Sequence, residues 1–368
     1  MKKNRSALIV GAGFAGSVCA ERLAAAGWSV DLIDRRSHIA GNAFDERDEG
    51  EILIHRYGPH IFHTNSKKVF QYLSDFTQWR KYEHRVLARH RGKDYPIPIN
   101  RTTVNALYGW SLNEREIEEY LSSVSLKNEK MESSEDLLFS TIGKDLSDRF
   151  FRGYSRKQWG RDLRELAPGV AARVPFRTSD DPRYFTDIYQ AMPAQGYTKM
   201  FEAMINSPRI TLSLGTAFEP KFANSYAATI YTGPIDEYFD FRFGRLPYRS
   251  ICFEHKHLPG VQKFQSVGTV NYPDLEDGDF TRITEFKHLT GQLSESTSVV
   301  YEYPSEFGEP YYPVPTRESD ALYKKYEYLA EQLTGVNFVG RLAQYRYYNM
   351  DQVVAAALKT ADSIINAE

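Results

Sequence analysis

The sequence predicts an α/β fold interrupted by two stretches of different texture, and three observations predict it. The N-terminus reads strand, glycine turn, helix, strand. Residues 102–177 are dense in helix signals, and residues 210–312 break into short β-type runs before an α/β pattern returns. At 368 residues the chain exceeds what one simple core accommodates, so two or three lobes are expected.

In chain order, residues 7–10 form a short apolar run of buried-strand type, and residues 14–26 supply helix formers up to Gly27, a natural stop. Residues 29–33 alternate back into a strand that ends at Asp34. The middle stretch holds "NEREIEEYL", a capping-type "SSED" ahead of Leu137, and "GKDLSDRFFRGY", which together predict an inserted helical lobe. "ATIYTG" and "TSVVYEY" read as strands, as does "VNFVG" near the end. From Met350 onward, Val353, Ala357, Ala361 and Ile364 fall on one helical face. "KNEKMESSED", residues 127–136, reads as a solvated charge run.

Composition excludes several classes of function. A net charge of −2 provides no whole-chain footprint for nucleic acid or an anionic membrane. Cys19 and Cys252 are far apart, with neither disulfide-framework nor metal-site spacing, so no metal is expected and a reducing, cytoplasmic setting is the default. The apolar run after "MKKNR" breaks at once into Gly-Ala-Gly, leaving no signal core, and no run approaches a membrane span in length.

Chemistry enters at Gly11-x-Gly13-x-x-Gly16. The first glycine permits a tight turn, the second lets backbone approach a pyrophosphate, and the third lets helix and strand pack closely; Phe14 and Ala15 open the helix between them. Because the pattern follows a strand and Asp34 ends the next one, where a ribose hydroxyl would be held, it reads as a dinucleotide cradle. A second glycine turn follows directly in "RRSHIAGNAF", with Arg35, Gly41 and Asn42, and suits a cofactor lying extended along a groove. FAD is therefore favoured over NAD. His60 and His63 alone would more often be packing or surface histidines than catalytic ones, but their setting after Tyr57-Gly58-Pro59 shifts the reading toward catalysis.

"YGPHIFHTN", "GYSRKQWG", "YTGPIDEYFDFRFGRLPYRS", "FTRITEFKH", "EPYYPV" and "VGRLAQYRYYNMDQ" occur in an order that resembles the bacterial UDP-galactopyranose mutase family nearly end to end. The resemblance implies a flavoenzyme that interconverts pyranose and furanose forms of a nucleotide sugar, most simply UDP-galactopyranose and UDP-galactofuranose, with no net redox change. Reduced FAD would act as nucleophile through N5 at the anomeric carbon. It implies a discontinuous Rossmann-like FAD domain (1–80, 196–245 and 316–368), a helical domain (101–180) and a twisted antiparallel sheet domain (81–100, 181–195 and 246–315). It also implies a homodimer, a reductant such as NADPH or a reduced flavin source, and a place in cell-surface polysaccharide synthesis.

Residue roles carry over by the same resemblance. Arg173 and Arg282 match a diphosphate-binding pair, Arg173 within "LRELAPGVAARVPFR", which is similar to a mobile loop. Tyr154 would stack on uracil with Phe150, Phe151, Ser155, Trp159 and Tyr184 nearby, and Tyr312 and Tyr347 would contact the diphosphate. Beside the flavin the resemblance places His60, Ile61, His63, Arg249, Arg341 and the helix N-terminus at Met350.

Five positions depart from the family's common form: Ala40 and Gln195, read as tolerated backbone changes, and His84, Asn349 and Phe286, which put the sugar's identity in question. A mutase of a related substrate, such as dTDP-fucopyranose or UDP-N-acetylgalactosamine, is the nearest alternative. An FAD-dependent oxidoreductase would be told apart by its consumption of an acceptor, and a noncatalytic binder would have no need of paired arginines beside a flavin.

Overall fold

The computed structural model describes residues 5–126 and 130–367; residues 1–4 of the "MKKNR" opening and residues 127–129 of the charge run lie outside the described residues. Strand Ser6–Val10, buried through its middle, takes the centre of a parallel sheet, the setting that a continuous apolar strand requires. The order across it is Ile210–Leu214, Ser29–Asp34, Ser6–Val10, Ala228–Tyr231, Val336–Phe338. Three remote parts of the chain therefore build one sheet.

Helix Phe14–Ala25 covers this sheet with Val18, Cys19 and Leu23 fully buried, and Gly27, at φ +88°, turns the chain into the next strand. Helix Met350–Asn366 packs beside it, the Cys19 thiol donating to the Ala357 carbonyl at 3.5 Å. Its buried stripe is Val354, Ala357, Leu358 and Ala361, rotated from the expected stripe; Val353 instead lines a cavity beneath the glycine turn.

The helical stretch forms as read. Arg101–Tyr108, Glu114–Val124 and Ser134–Ser147 start at Asn100, Asn113 and Ser133, whose side chains accept backbone N–H groups, and Ser133 and Asp136 form the capping box anticipated from "SSED". These helices bury Val104, Ile117, Leu138, Ile142 and Leu146 in a separate core.

A seven-stranded sheet runs Tyr312–Pro313, Tyr248–Leu258, Thr297–Ser305, Arg282–Glu285, Thr269–Asn271, Val86–His90, Lys93–Ile97. Every pairing is antiparallel except Thr269–Asn271 with Val86–His90, which is parallel because a long excursion of chain, not a hairpin, joins them. Strand Tyr189–Pro193, expected with this sheet, pairs instead with Phe62–Thr64 and Trp79–Lys81. Among the described residues no helix is long and apolar enough to cross a membrane.

A Cβ on Gly16 would lie 1.8 Å from the Gly11 carbonyl oxygen, a clash with backbone that side-chain motion does not relieve. Gly16→Ala is expected to destabilise the protein by about 3 kcal/mol, the upper range for overpacking; urea unfolding of the apoprotein measures it.

Candidate active site

Two joined cavities form between the parallel sheet, the helical lobe and the seven-stranded sheet. The first, of about 320 Å³, lies over the glycine turns and is lined by Gly11, Gly13, Phe14, Ala15, Asp34, Arg35, Gly41 and Asn42. The two turns touch: a Cβ on Gly41 (φ +55°) would stand 2.9 Å from Gly13 Cα, and one on Gly11 (φ +104°) 2.0 Å from Thr232 Oγ1. Gly16 does not reach the lining; it packs on Gly11, as the third glycine of the pattern should. No side chain caps helix Phe14–Ala25, which leaves its first N–H groups and its positive dipole end open to the cavity, a setting that suits an anion. Asp34 is buried, accepting from Ala12 N at 2.7 Å and Arg36 N at 2.8 Å.

Ala40, expected to be a neutral change, has φ 68°, the left-handed region. There an alanine costs about 1–2 kcal/mol, while its buried methyl returns about 0.8 kcal/mol. The alanine therefore costs about 0.2–1.2 kcal/mol net.

The second cavity, of about 710 Å³, meets the first at His60, Arg341 and Met350, which line both. It contains Ile61, His63, His84, Tyr154, Arg173, Tyr184, Arg282, Tyr312, Tyr347 and Asn349. Arg282 sits on a central strand directly opposite Glu302, with Nε 2.7 Å from the carboxylate. Burial alone would weaken its charge, but the facing Glu302 carboxylate outweighs this and keeps the guanidinium protonated. Arg173 is exposed; it lies over the Tyr347 ring at 3.9 Å and donates to the Tyr347 carbonyl at 2.6 Å and to Asn349 Oδ1. Tyr347 and Tyr312 meet edge to face at 5.0 Å.

The histidines are governed by this charge and by burial. Burial, then the neighbouring His55 ring, then a Gly58 carbonyl contact set His60, whose pKa falls to about 3. Its Nδ1 donates to that carbonyl at 2.9 Å, so Nε2 carries a lone pair. Burial and then Arg282 push His84 down to about 3 as well, with Nδ1 3.1 Å from the Tyr82 hydroxyl.

Several expected site residues stand behind the cavities. Phe150 is buried against His90 and Tyr95 in the helical core, with Phe151 packed on that core, because the helix turns both away from the cleft. Ser155 is buried and donates to the Arg161 carbonyl. Trp159 backs Tyr312 and Tyr347 at 6.3 and 5.6 Å. Arg249, expected beside the flavin, lines neither cavity: it donates to the carbonyls of Gln158 and Lys157, the C-terminal end of helix Gly153–Trp159 that presents Tyr154. Phe286 is fully buried between His55 and His255, so its departure from histidine does not reach the sugar.

Other cavity residues escaped sequence reasoning. Asn271 lies across from Arg282, and its buried Oδ1 has no hydrogen-bond partner among the described residues. Asp187 also lines the second cavity without any motif to mark it, and Arg346, Arg36 and Thr232, which lie within the quoted blocks but carried no assigned role, line the cavities too. Only strand register and loop closure bring them in.

The residues fit FAD: the touching glycine turns leave room for backbone to approach a pyrophosphate, the helix N-terminus is uncapped, and an acid ends the second strand. A family model described as UDP-galactopyranose mutase matches residues 149–347, and one described as an NAD(P)-binding Rossmann-like domain matches 9–76. A probable UDP-galactopyranose mutase of Klebsiella pneumoniae is 39% identical, covering 99% of this chain and 96% of that one. A dTDP-fucopyranose mutase of Escherichia coli is 35% identical over 97% and 98%. The crystal structure of a reduced UDP-galactopyranose mutase superimposes with a TM-score of 0.81 at 16% identity, covering 99% and 96%, which establishes the shared fold.

His55 and His84 are buried neutral, with pKa values near 3 against an ordinary 6.5. Since the unfolded chain binds their protons first, stability is full above about pH 6.5 and falls as pH drops below it, by about 2 kcal/mol per histidine between pH 7 and pH 5. Urea unfolding at both pH values, with His84→Asn losing one such increment, measures it.

Proposed function

The chain belongs to the UDP-galactopyranose mutase family, and from that premise we propose that its joined cavities convert UDP-galactopyranose into UDP-galactofuranose. One observation carries this reading: the cofactor cavity opens directly into a cavity holding two arginines of opposite character, one fixed in a sheet and one on a loop. Bound FAD, when reduced, supplies an electron-rich nitrogen nucleophile.

The protein's own part is to hold what leaves and returns. Arg282 receives the diphosphate on a cation that strand register keeps in place, and Arg173 leaves Tyr347 and Asn349 to close on it. Tyr154 and Tyr184 seat the nucleobase, and Tyr312 and Tyr347 narrow the passage toward the first cavity. His60 stays neutral at the junction, so its Nε2 accepts a hydrogen bond and adds no charge beside the cofactor. Trp159 and Arg249 support these aromatics from behind. The same reading assigns a reductant such as NADPH, a cytoplasmic homodimer, the three-domain division stated above and a supply of furanose sugar for cell-surface polysaccharide.

A second reading, a mutase of a related sugar such as dTDP-fucopyranose or UDP-N-acetylgalactosamine, draws on His84, whose buried imidazole lines the cavity at one of the positions that depart from the family's common form. Asn349 bears on the reaction through Arg173, which it holds, more than through the sugar.

Three comparisons test these readings. The dithionite-reduced protein, assayed without oxygen, converts UDP-galactopyranose with no acceptor consumed, and the oxidised protein does not; equal activity in both states rules the mutase reading out. Measured as kcat/KM, UDP-galactose leads dTDP-fucose and UDP-N-acetylgalactosamine, and His84→Asn changes the ratios because a site's polar groups discriminate by what they leave unpaired. Unchanged ratios remove His84 from sugar choice.

The two arginines differ on substitution. Arg173→Ala lowers turnover more than tenfold with stability unchanged, a charge-assisted phosphate contact being worth about 1.5–3 kcal/mol. Arg282→Ala lowers turnover and also destabilises by about 3 kcal/mol or more, because Glu302, 1% exposed, loses its partner. Turnover and urea midpoints on both variants decide it.

A further inference from the structure

Strand Phe62–Thr64 carries His63 and runs antiparallel to Tyr189–Pro193, with His63 directly opposite Gln190. The Gln190 side-chain amide donates to the carbonyls of Phe185 at 3.2 Å and Asp187 at 2.9 Å, folding this loop back over the strand. The Phe185 ring stacks on His63 with centroids 3.6 Å apart, and the Asp187 carboxylate accepts from His63 Nδ1 at 2.9 Å. Both side chains are largely buried and both line the second cavity, with His84 and Arg282 in the same wall. With Nδ1–H committed to a carboxylate, the ring has one tautomer and one plane. Nε2, which has no partner among the described residues, is the nitrogen left for a ligand.

We infer that Asp187 is a positioning residue for His63 and that the pair moves a proton between hydroxyl oxygens of the bound sugar. This rests on the mutase reading above. When a pyranose becomes a furanose, the ring oxygen takes the electron pair of its bond to the anomeric carbon and gains a proton. A second hydroxyl oxygen then gives a pair to that carbon and loses a proton. One imidazole that donates first and accepts second closes this balance with no external acid or base. The carboxylate at Nδ1 fixes the direction of Nε2.

A double-mutant cycle on the reduced, flavin-loaded enzyme with UDP-galactopyranose tests it, using Asp187→Asn, His63→Gln and the pair. Asp187→Asn is expected to lower kcat tenfold or more, with KM and the Kd for UDP within twofold, and Asp187→Glu to recover part of the loss. The double variant loses no more than His63→Gln alone. Losses that multiply in the double variant, or an Asp187→Asn kcat within twofold of wild type, overturn the inference. A parallel fall in UDP affinity and Tm overturns it too, since that marks a purely structural bridge. A wild-type protein without mutase activity overturns the proposed function itself.

Discussion

A guanidinium that stays charged where most water has been excluded governs the site. Arg282 tolerates that position because strand register sets Glu302 directly opposite, so attraction within the sheet outweighs the cost of desolvation. Burial first, and then this charge, keeps the neighbouring His84 imidazole neutral, while burial and the His55 ring do most of this at His60. The cavity therefore concentrates positive charge on its arginines, and these two histidines supply hydrogen bonds. In the proposed reading, an incoming diphosphate would meet one wall already built for it.

The second arginine answers to different physics. Arg173 comes from a loop and rests on an aromatic face and two oxygens, Tyr347 O and Asn349 Oδ1. With an amide at 349 this tether runs from a charged donor to an uncharged acceptor, and is easier to release than an ion pair. In the proposed reading, a fixed jaw and a movable one give retention and access from two residues of the same type. The aromatic wall of Trp159, Tyr312 and Tyr347 gives the moving jaw a firm seat.

What the sequence disclosed was mostly local. The glycine turn, Asp34 and the Ser133 cap could be read because each is made by residues close in sequence, whose backbone demands have few solutions. The parallel sheet, the helical stretch and most of the two cavities followed from that reading and from the family's blocks. Phe150, Phe151, Arg249 and Phe286 did not, because a matched block fixes a neighbourhood and leaves a side chain's direction open. Asn271 and Asp187 were silent for another reason: their contacts arise from register and loop closure between distant segments. Ala40 shows a third limit, since the sign of a φ angle leaves no trace in one alanine.

The parallel sheet that floors the cofactor cavity is assembled from strands at residues 6–34, 210–231 and 336–338, and its first helix packs on Met350–Asn366. During translation the glycine turn emerges early, yet the strand and helix that complete its surroundings follow more than three hundred residues later. Until they arrive, an apolar sheet face and unpaired strand edges stand open, the state most exposed to aggregation. Cofactor capture is thereby postponed to the end of synthesis: the chain takes up its flavin as a finished body, and a ribosome stalled before the last helix yields a polypeptide unable to retain it.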